Sequence, residues 1–190
     1  MAKKLMVAGL TLLMLPGPAL ADCFRADQDS GRIEFTGVVE GHAFTGEFGE
    51  FEVSLCMSGP DLTAAEIRVV VKTASADTGN RQRDNELHGE NFFHVEKYPE
   101  AIWESDTIRA GTEGFVADGT LTLRGITADQ AVRLSLSDGA PPILSGSAEV
   151  LRLDWNVGTG DEDFEDTDFI GNRVDLAFEL QFVGDATPTD

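Results

Sequence analysis

Basic residues are scarce in this chain: 14 Lys and Arg stand against 34 Asp and Glu in 190 residues, a formal net charge of −20. So acidic a surface repels nucleic acid phosphate and anionic lipid headgroups alike, which argues against nucleic-acid binding and against membrane docking through a basic patch. Solubility is a sufficient account of the charge. Cysteine occurs twice, at Cys23 and Cys56. No Gly-x-Ser-x-Gly elbow is present, and the scattered carboxylates of an acidic chain single out no acid/base pair. Nothing in the sequence supports catalysis, and an enzyme is not expected. Internal repeats, linkers and breaks in composition are absent too, and the one long apolar run lies within the first 20 residues.

That run has the build of an export signal. Lys3 and Lys4 precede Leu5 to Leu15, which only Gly9 and Thr11 interrupt; Pro16-Gly17-Pro18 then breaks any helix, and Ala19-Leu20-Ala21 is a small-x-small cleavage site. The run is short for a spanning helix, which needs roughly 20 apolar residues, so a permanent anchor is the weaker reading. Lipoprotein processing wants a small residue directly before the cysteine, and Asp22 stands before Cys23. Residues 1–21 are therefore expected to be a cleaved signal peptide and the protein to be periplasmic, with no stable membrane insertion after cleavage.

Cleavage leaves 169 residues (190 less 21) carrying 12 − 34 = −22 charges, enough for one domain with a sizeable core and a short disordered C-terminal tail. An oxidising compartment and an even count favour a Cys23–Cys56 bridge. Two free thiols, or a bond to another protein, are the alternatives.

Period two dominates residues 22–190. Ile33, Phe35 and Val39 alternate with polar or charged residues, as do Phe51, Val53 and Leu55, then Ile67, Val69 and Val71 with Arg68 and Lys72. Ala101 and Trp103, Phe115 to Leu123, Val132 to Leu136 and Val174 to Phe182 continue the pattern, and Val150 to Leu153 is a weaker segment. Turns at Gly41-His42, Gly59-Pro60-Asp61, 111–114 and Asp138-Gly139 separate the runs. Helical turns fit only around Ala64 and from Gln82 to Leu87. The expectation is all-β: an up-and-down antiparallel barrel, because consecutive strands are joined by short turns and closure removes exposed edges.

Five motifs occur in order. Ile33-x-Phe35 opens the first strand, and Thr45-Gly46-x-Phe48-x-x-Phe51 forms a hairpin. Thr78-Gly79-Asn80 leads to Arg83-Asp84 and Leu87, Phe92-Phe93-x-Val95-Glu96-Lys97-Tyr98-Pro99 follows, and Gly119-x-Leu-Thr-Leu-x-Gly-Ile-Thr127 closes the set. From about Asp29 to Val183 the chain resembles the YceI-like polyisoprenoid-binding family. Two places depart from that family's pattern: Ser30-Gly31 stands where a His-Ser pair is usual, and Ala128-Asp129-Gln130-Ala131-Val132 where Lys-Pro-Val follows Gly-Ile-Thr. Headgroup contacts are therefore not carried over. The resemblance implies an eight-stranded lipocalin-like barrel whose cavity holds a polyisoprenoid, a quinone or a similar amphiphile. An eight-stranded barrel is just wide enough for side chains or one slender ligand. The expected cavity wall is Phe35, Phe51, Val69, Phe92, Phe93, Trp103, Leu121, Leu134 and Phe178. An enzyme acting on such a lipid and a solidly packed barrel without ligand are the alternatives.

Within the third motif, Arg81, Arg83, Asp84 and Glu86 are expected to brace the loop through pairs such as Arg83–Asp84 or Arg81–Glu86, with pyrophosphate binding the alternative. Phe92 and Phe93 either cap the cavity or form a satellite core. His42, His88 and His94 match no common metal-ligand spacing and are expected to be exposed loop residues. The acidic segment of about 158–170 lacks the glycine and terminal glutamate of an EF-hand, so a solvated loop is expected there. No cofactor and no metal are implied.

Overall fold

The computed structural model describes residues 22–59, 61–137 and 143–182. The expected signal peptide, the Asp138-Gly139 turn and the C-terminal tail lie outside them. Twelve antiparallel strands build one curled sheet: β1 (Asp22–Asp27), β2 (Gly31–Val39), β3 (His42–Phe48), β4 (Phe51–Met57), β5 (Ala65–Lys72), β6 (Ala76–Asp77), β7 (Glu100–Ala110), β8 (Phe115–Leu123), β9 (Ile126–Asp129), β10 (Val132–Leu136), β11 (Ile143–Leu151) and β12 (Arg173–Gln181). Hydrogen-bonded neighbours follow the order β1-β4-β5-β7-β8-β10-β11-β12-β2-β3-β6, with β9 beside β8. The class is as expected, but twelve strands replace eight.

Four strands fall outside the alternating runs: β1, β3 and the short β6 and β9. Two other elements differ from expectation. β11 begins at Ile143, well before Val150, because its inward positions Leu144, Gly146, Ala148 and Val150 include two residues too small to mark a hydrophobic face. Arg152 and Leu153, expected to continue that strand, instead enter a 3₁₀ turn over Arg152–Trp155. Closure is also less complete than expected. The ladder ends at β1 and β6, and its ends are joined through the chain, by the turn at 28–30 between β1 and β2 and by Gly49-Glu50 between β3 and β4.

Local chemistry sets the turns. Glu40 and Gly41 (φ 50° and 74°) and Arg124 and Gly125 (φ 53° and 76°) are two-residue hairpins with both φ positive, whose twist matches the flanking strands. A register shift between Ser105 and Thr107 moves β7's inward phase, so Trp103 points inward before it and Ile108 after it. The helical segments fall at Leu62–Ala64 and at α1 (Arg81–His88), as the sequence suggests, and also at Thr73–Ser75. A further short helix, α2 (Glu162–Glu165), stands in the acidic segment, where Asp161 caps it.

Cys23 and Cys56 face each other in the β1–β4 register and are joined by a disulfide. Closing a loop over a separation of 33 residues contributes about 3–4 kcal/mol in the chain-entropy model. Inward side chains form two clusters. One gathers Phe51, Val53, Leu55, Trp103, Leu134, Leu144 and Phe182; the other gathers Phe35, Leu87, Phe92, Leu123, Trp155 and Val157 beneath α1 and the 152–171 segment. Outward positions carry charge, with ion pairs such as Arg68–Glu104, Arg109–Asp118 and Arg173–Glu149.

A candidate ligand cavity

Several inward residues remain half-exposed although they point into the barrel: Val69, Leu121, Val174, Leu176 and Phe178. They are exposed to a cavity of about 210 Å³ whose surface is almost wholly apolar. Ligand sites commonly run to roughly 300–1,000 Å³, so an occupant here must be slender. Eight of the nine residues expected on the wall do line it: Phe35, Val69, Phe92, Phe93, Trp103, Leu121, Leu134 and Phe178. Phe51 does not. Only 3 % exposed and next to the Gly49-Glu50 turn, it packs into the cluster of Val53 and Leu55 at the start of β4. Ile33, Phe44, Phe48, Val150 and Leu176 add to the wall.

The polar side chains on this wall are already engaged. Thr73, 1 % exposed, donates to the Tyr98 carbonyl at 2.8 Å. The Gln130 amide donates to the Ala131 and Glu149 carbonyls. Trp103 Nε1 donates to the Gln130 carbonyl, and Trp155, beneath the wall, to the Leu121 carbonyl. Among the described residues no buried side-chain nitrogen or oxygen lacks a partner. The lumen therefore offers dispersion and hydrophobic contact, and its polar side chains already spend their donors on protein groups.

Arg152, which the strand pattern did not single out, is a further polar group on the wall and only 4 % exposed. Its Nε donates to Gly171 O at 3.0 Å, one terminal nitrogen to Val157 O and Gly158 O at 2.9 and 3.0 Å, and the other to Phe164 O and Ile170 O at 2.6 and 2.7 Å. All five guanidinium donors are used on backbone carbonyls of the segment it organises. Burial pushes its pKa down, while the nearby Glu165 carboxylate acts in the opposite direction. Arg124 works similarly from the β8–β9 turn, donating to the carbonyls of Asn91, Glu90 and Asn156.

The third motif is rigid, though not through the ion pairs expected of it. Asn80 caps α1 by accepting from the N–H groups of Gln82 and Arg83. Asp84 Oδ1 accepts both the N–H and the hydroxyl of Thr78, at 2.9 and 2.6 Å, and Thr78 Oγ1 accepts Arg83 Nε at 2.9 Å. Arg83–Asp84 and Arg81–Glu86 are not paired. Adjacent residues diverge around a helix and a spacing of five misses the i+3/i+4 face, so neither pair can meet. Phe92 is buried against Phe164 and Phe93 lies near Phe48, so both belong to the second cluster as well as to the wall.

His42 is exposed on β3, whereas His88 is half-buried in α1 with Nε2 2.9 Å from Ala76 O, and His94 sits edge-on to Tyr98. The last two thus have packing roles that a loop reading misses. In the acidic segment, Asp161, Glu165 and Asp166 accept backbone N–H groups of the same segment. Among the described residues no group of three or more His, Cys, Asp and Glu converges as metal ligands would.

The Thr78 bonds hold the Asp84 carboxyl below its ordinary pKa, with Arg83 adding to the effect. A depressed carboxylate contributes stability that is present above its ordinary value of about 3.9 and lost as pH falls through the folded value. Asp84→Asn should therefore flatten the acid limb of stability below about pH 4. Asp84→Ala should lower stability by about 1–2 kcal/mol, the worth of two hydrogen bonds at a half-exposed site. Urea denaturation of both variants across that range checks it, and an unchanged acid limb would refute the assignment.

With this geometry described, similarity to known proteins is specific. A family model, the YceI-like domain, matches residues 24–182. A UPF0312 protein of Yersinia pestis is 32% identical over 119 residues, covering 61% of this chain and 62% of the relative, so the chain spans less than two thirds of the curated relatives it matches. Burkholderia cenocepacia BcnA has a similar fold, with a TM-score of 0.72 at 23% identity over 82% of this chain and 98% of that one. A polyisoprenoid binding domain from Saccharophagus degradans gives a TM-score of 0.64 at 19% identity, covering 85% and 98%. At those identities the likeness concerns the fold alone. The family model, covering nearly every described strand, makes this chain a member of the YceI-like family.

Proposed function

We propose that this protein is an exported, water-soluble carrier that holds a polyisoprenoid or similar long-chain amphiphile, a quinone among them, with its tail in the barrel and its headgroup at the mouth. The observation that carries this reading is a lumen lined by apolar side chains, with its few polar ones already bonded to protein. Each buried CH₂ contributes about 0.8 kcal/mol, so a tail is held without a polar anchor inside. The polyisoprenoid binding domain of Saccharophagus degradans, similar in fold, supports the same class of ligand.

Charged residues face outward and apolar ones inward, the reverse of a barrel that spans a membrane, which supports a soluble carrier. Among the described residues no helix is long and apolar enough to cross a membrane. The Cys23–Cys56 bond and the leader pattern support export to the periplasm. An enzyme acting on the lipid would need a polar group free to act in the lumen, and Thr73, Gln130 and Arg152 are committed elsewhere. A solid barrel is disfavoured by the half-exposed inward residues.

Native mass spectrometry of protein purified from its host tests the proposal. Retained lipid, lost on organic extraction, is the expected result. Chemical conversion of an added isoprenoid alcohol would favour the enzyme, and bare protein that takes up no amphiphile would overturn the carrier.

A further inference from the structure

The width of the lumen depends on where its aromatic rings lie, and three of them lie across glycines. Phe44 stands opposite Gly37 and Phe35 opposite Gly46 in the β2–β3 pair, and Phe178 opposite Gly146 in the β11–β12 pair. At each glycine the opposing ring already fills the space a methyl group would need. A ring seated over a glycine lies along the wall; over any larger residue it must leave that seat. At Gly46 and Gly146 a backbone carbonyl crowds the same space, so the sheet itself needs those glycines. Gly37 is different. There the three nearest atoms are all ring carbons of Phe44, with Cζ 2.8 Å and Cε1 2.9 Å from where a Cβ would be.

Other contacts confine the Phe44 ring. The guanidinium carbon of Arg83 lies 4.2 Å from its centroid, and Arg83 is itself tied to Thr78 and through it to Asp84. Phe35 meets the ring edge-on, with centroids 6.4 Å apart. A ring displaced from Gly37 therefore has the lumen to move into. Only the pairs Val38–Ala43 and Val39–His42 separate Gly37 and Phe44 from the Glu40-Gly41 turn, which puts them near that end of the barrel, taken as the mouth.

The geometry points to Phe44, seated on Gly37 and covered by Arg83, as the specificity-determining residue of the mouth, which sets the girth of the apolar chain admitted. This rests on the carrier reading above. The seated ring leaves width for a methyl-branched chain, and an unseated one leaves width for an unbranched chain only. One methyl group in an apolar site changes affinity by about 10–200-fold, so the effect is measurable.

The test compares hexadecanol with phytol, whose main chains are equal in length and which differ in methyl branching and in one double bond beside phytol's hydroxyl carbon. The double bond is the same in every variant's comparison, so the change in ratio between variants is what is read. Binding of both and melting are measured for the wild-type protein, Gly37→Ala, Phe44→Leu and the double variant. Gly37→Ala is expected to weaken phytol at least about tenfold relative to hexadecanol, and adding Phe44→Leu to restore the ratio. Phe44→Leu alone should tilt the ratio toward phytol, and it decides the matter should Gly37→Ala fail to fold. A ratio unchanged in Phe44→Leu, or a Gly37→Ala protein that folds and weakens both probes equally, overturns the inference and leaves the carrier reading intact. A wild-type protein that binds neither alcohol overturns the carrier reading, and the inference with it.

Discussion

Val69→Trp is expected to abolish lipid uptake while the protein still folds. Val69 lies on the inward face of β5 between Val53 and Trp103 in the ladder, and it is half-buried because it borders the cavity. The added indole goes into space the native fold leaves open, so stability should change by less than about 1 kcal/mol. Leu134 is the informative contrast. It faces the same lumen from β10 but is 4 % exposed and packed within the first cluster. Trp at that position overpacks, at about 1–3 kcal/mol, which for a domain of this size lowers melting by roughly 2–12 °C. Melting and uptake of a fluorescent long-chain lipid are measured on both variants. If both melt far below wild type and the parent never takes up lipid, the interior is a packed core and the carrier reading fails.

Arg152→Met should be strongly destabilising. Methionine nearly fills the volume but offers no donor, leaving the carbonyls of Val157, Gly158, Phe164, Ile170 and Gly171 without their shared partner. A buried carbonyl left without a partner costs about 1–3 kcal/mol where water cannot replace the donor. The native arrangement carries a cost of its own, the desolvation of a guanidinium 4 % exposed, which the five carbonyls offset. Arg152→Lys keeps the charge but has three donors and no planar fork, so it should recover only part of the loss. The shift in urea midpoint reads the magnitude, and hydrogen exchange at residues 156–171 reads the place. A loss under about 1 kcal/mol would mean that water replaces the guanidinium readily and that it does not organise the segment.

Alternation made most strands legible, because in a barrel one face is apolar and the other wet, and β12 from Arg173 to Gln181 shows that division best. Where the inward set includes glycine and alanine, as in β11, the pattern fades although the pairing is regular. Phe51 and Phe35 look alike in sequence, and what separates them is position along the barrel axis, which alternation does not encode. Arg152 was invisible for a different reason: its partners are main-chain carbonyls, which any residue supplies. The α1 motif drew attention through its charges, yet Thr78 is the residue that connects Asp84 to Arg83. A hydroxyl between two charged residues leaves no mark in a charge pattern.

The disulfide has a second consequence, for association rather than for stability. β1 is the end of the ladder and pairs with β4 along residues 22–27, with Cys23 locked to Cys56. While the bond is intact, β4 cannot shed its neighbour. Once reduced, β1 can peel away and bare the backbone of Phe51–Met57, a segment with apolar residues at alternate positions. Such an edge is a template for a strand from another molecule. Reduced protein is thus expected to exchange β1 between copies and to elute as dimers and larger species, whereas oxidised protein does not form them by that route. A reducing solution would expose this sticky edge, and forming the Cys23–Cys56 bond seals it.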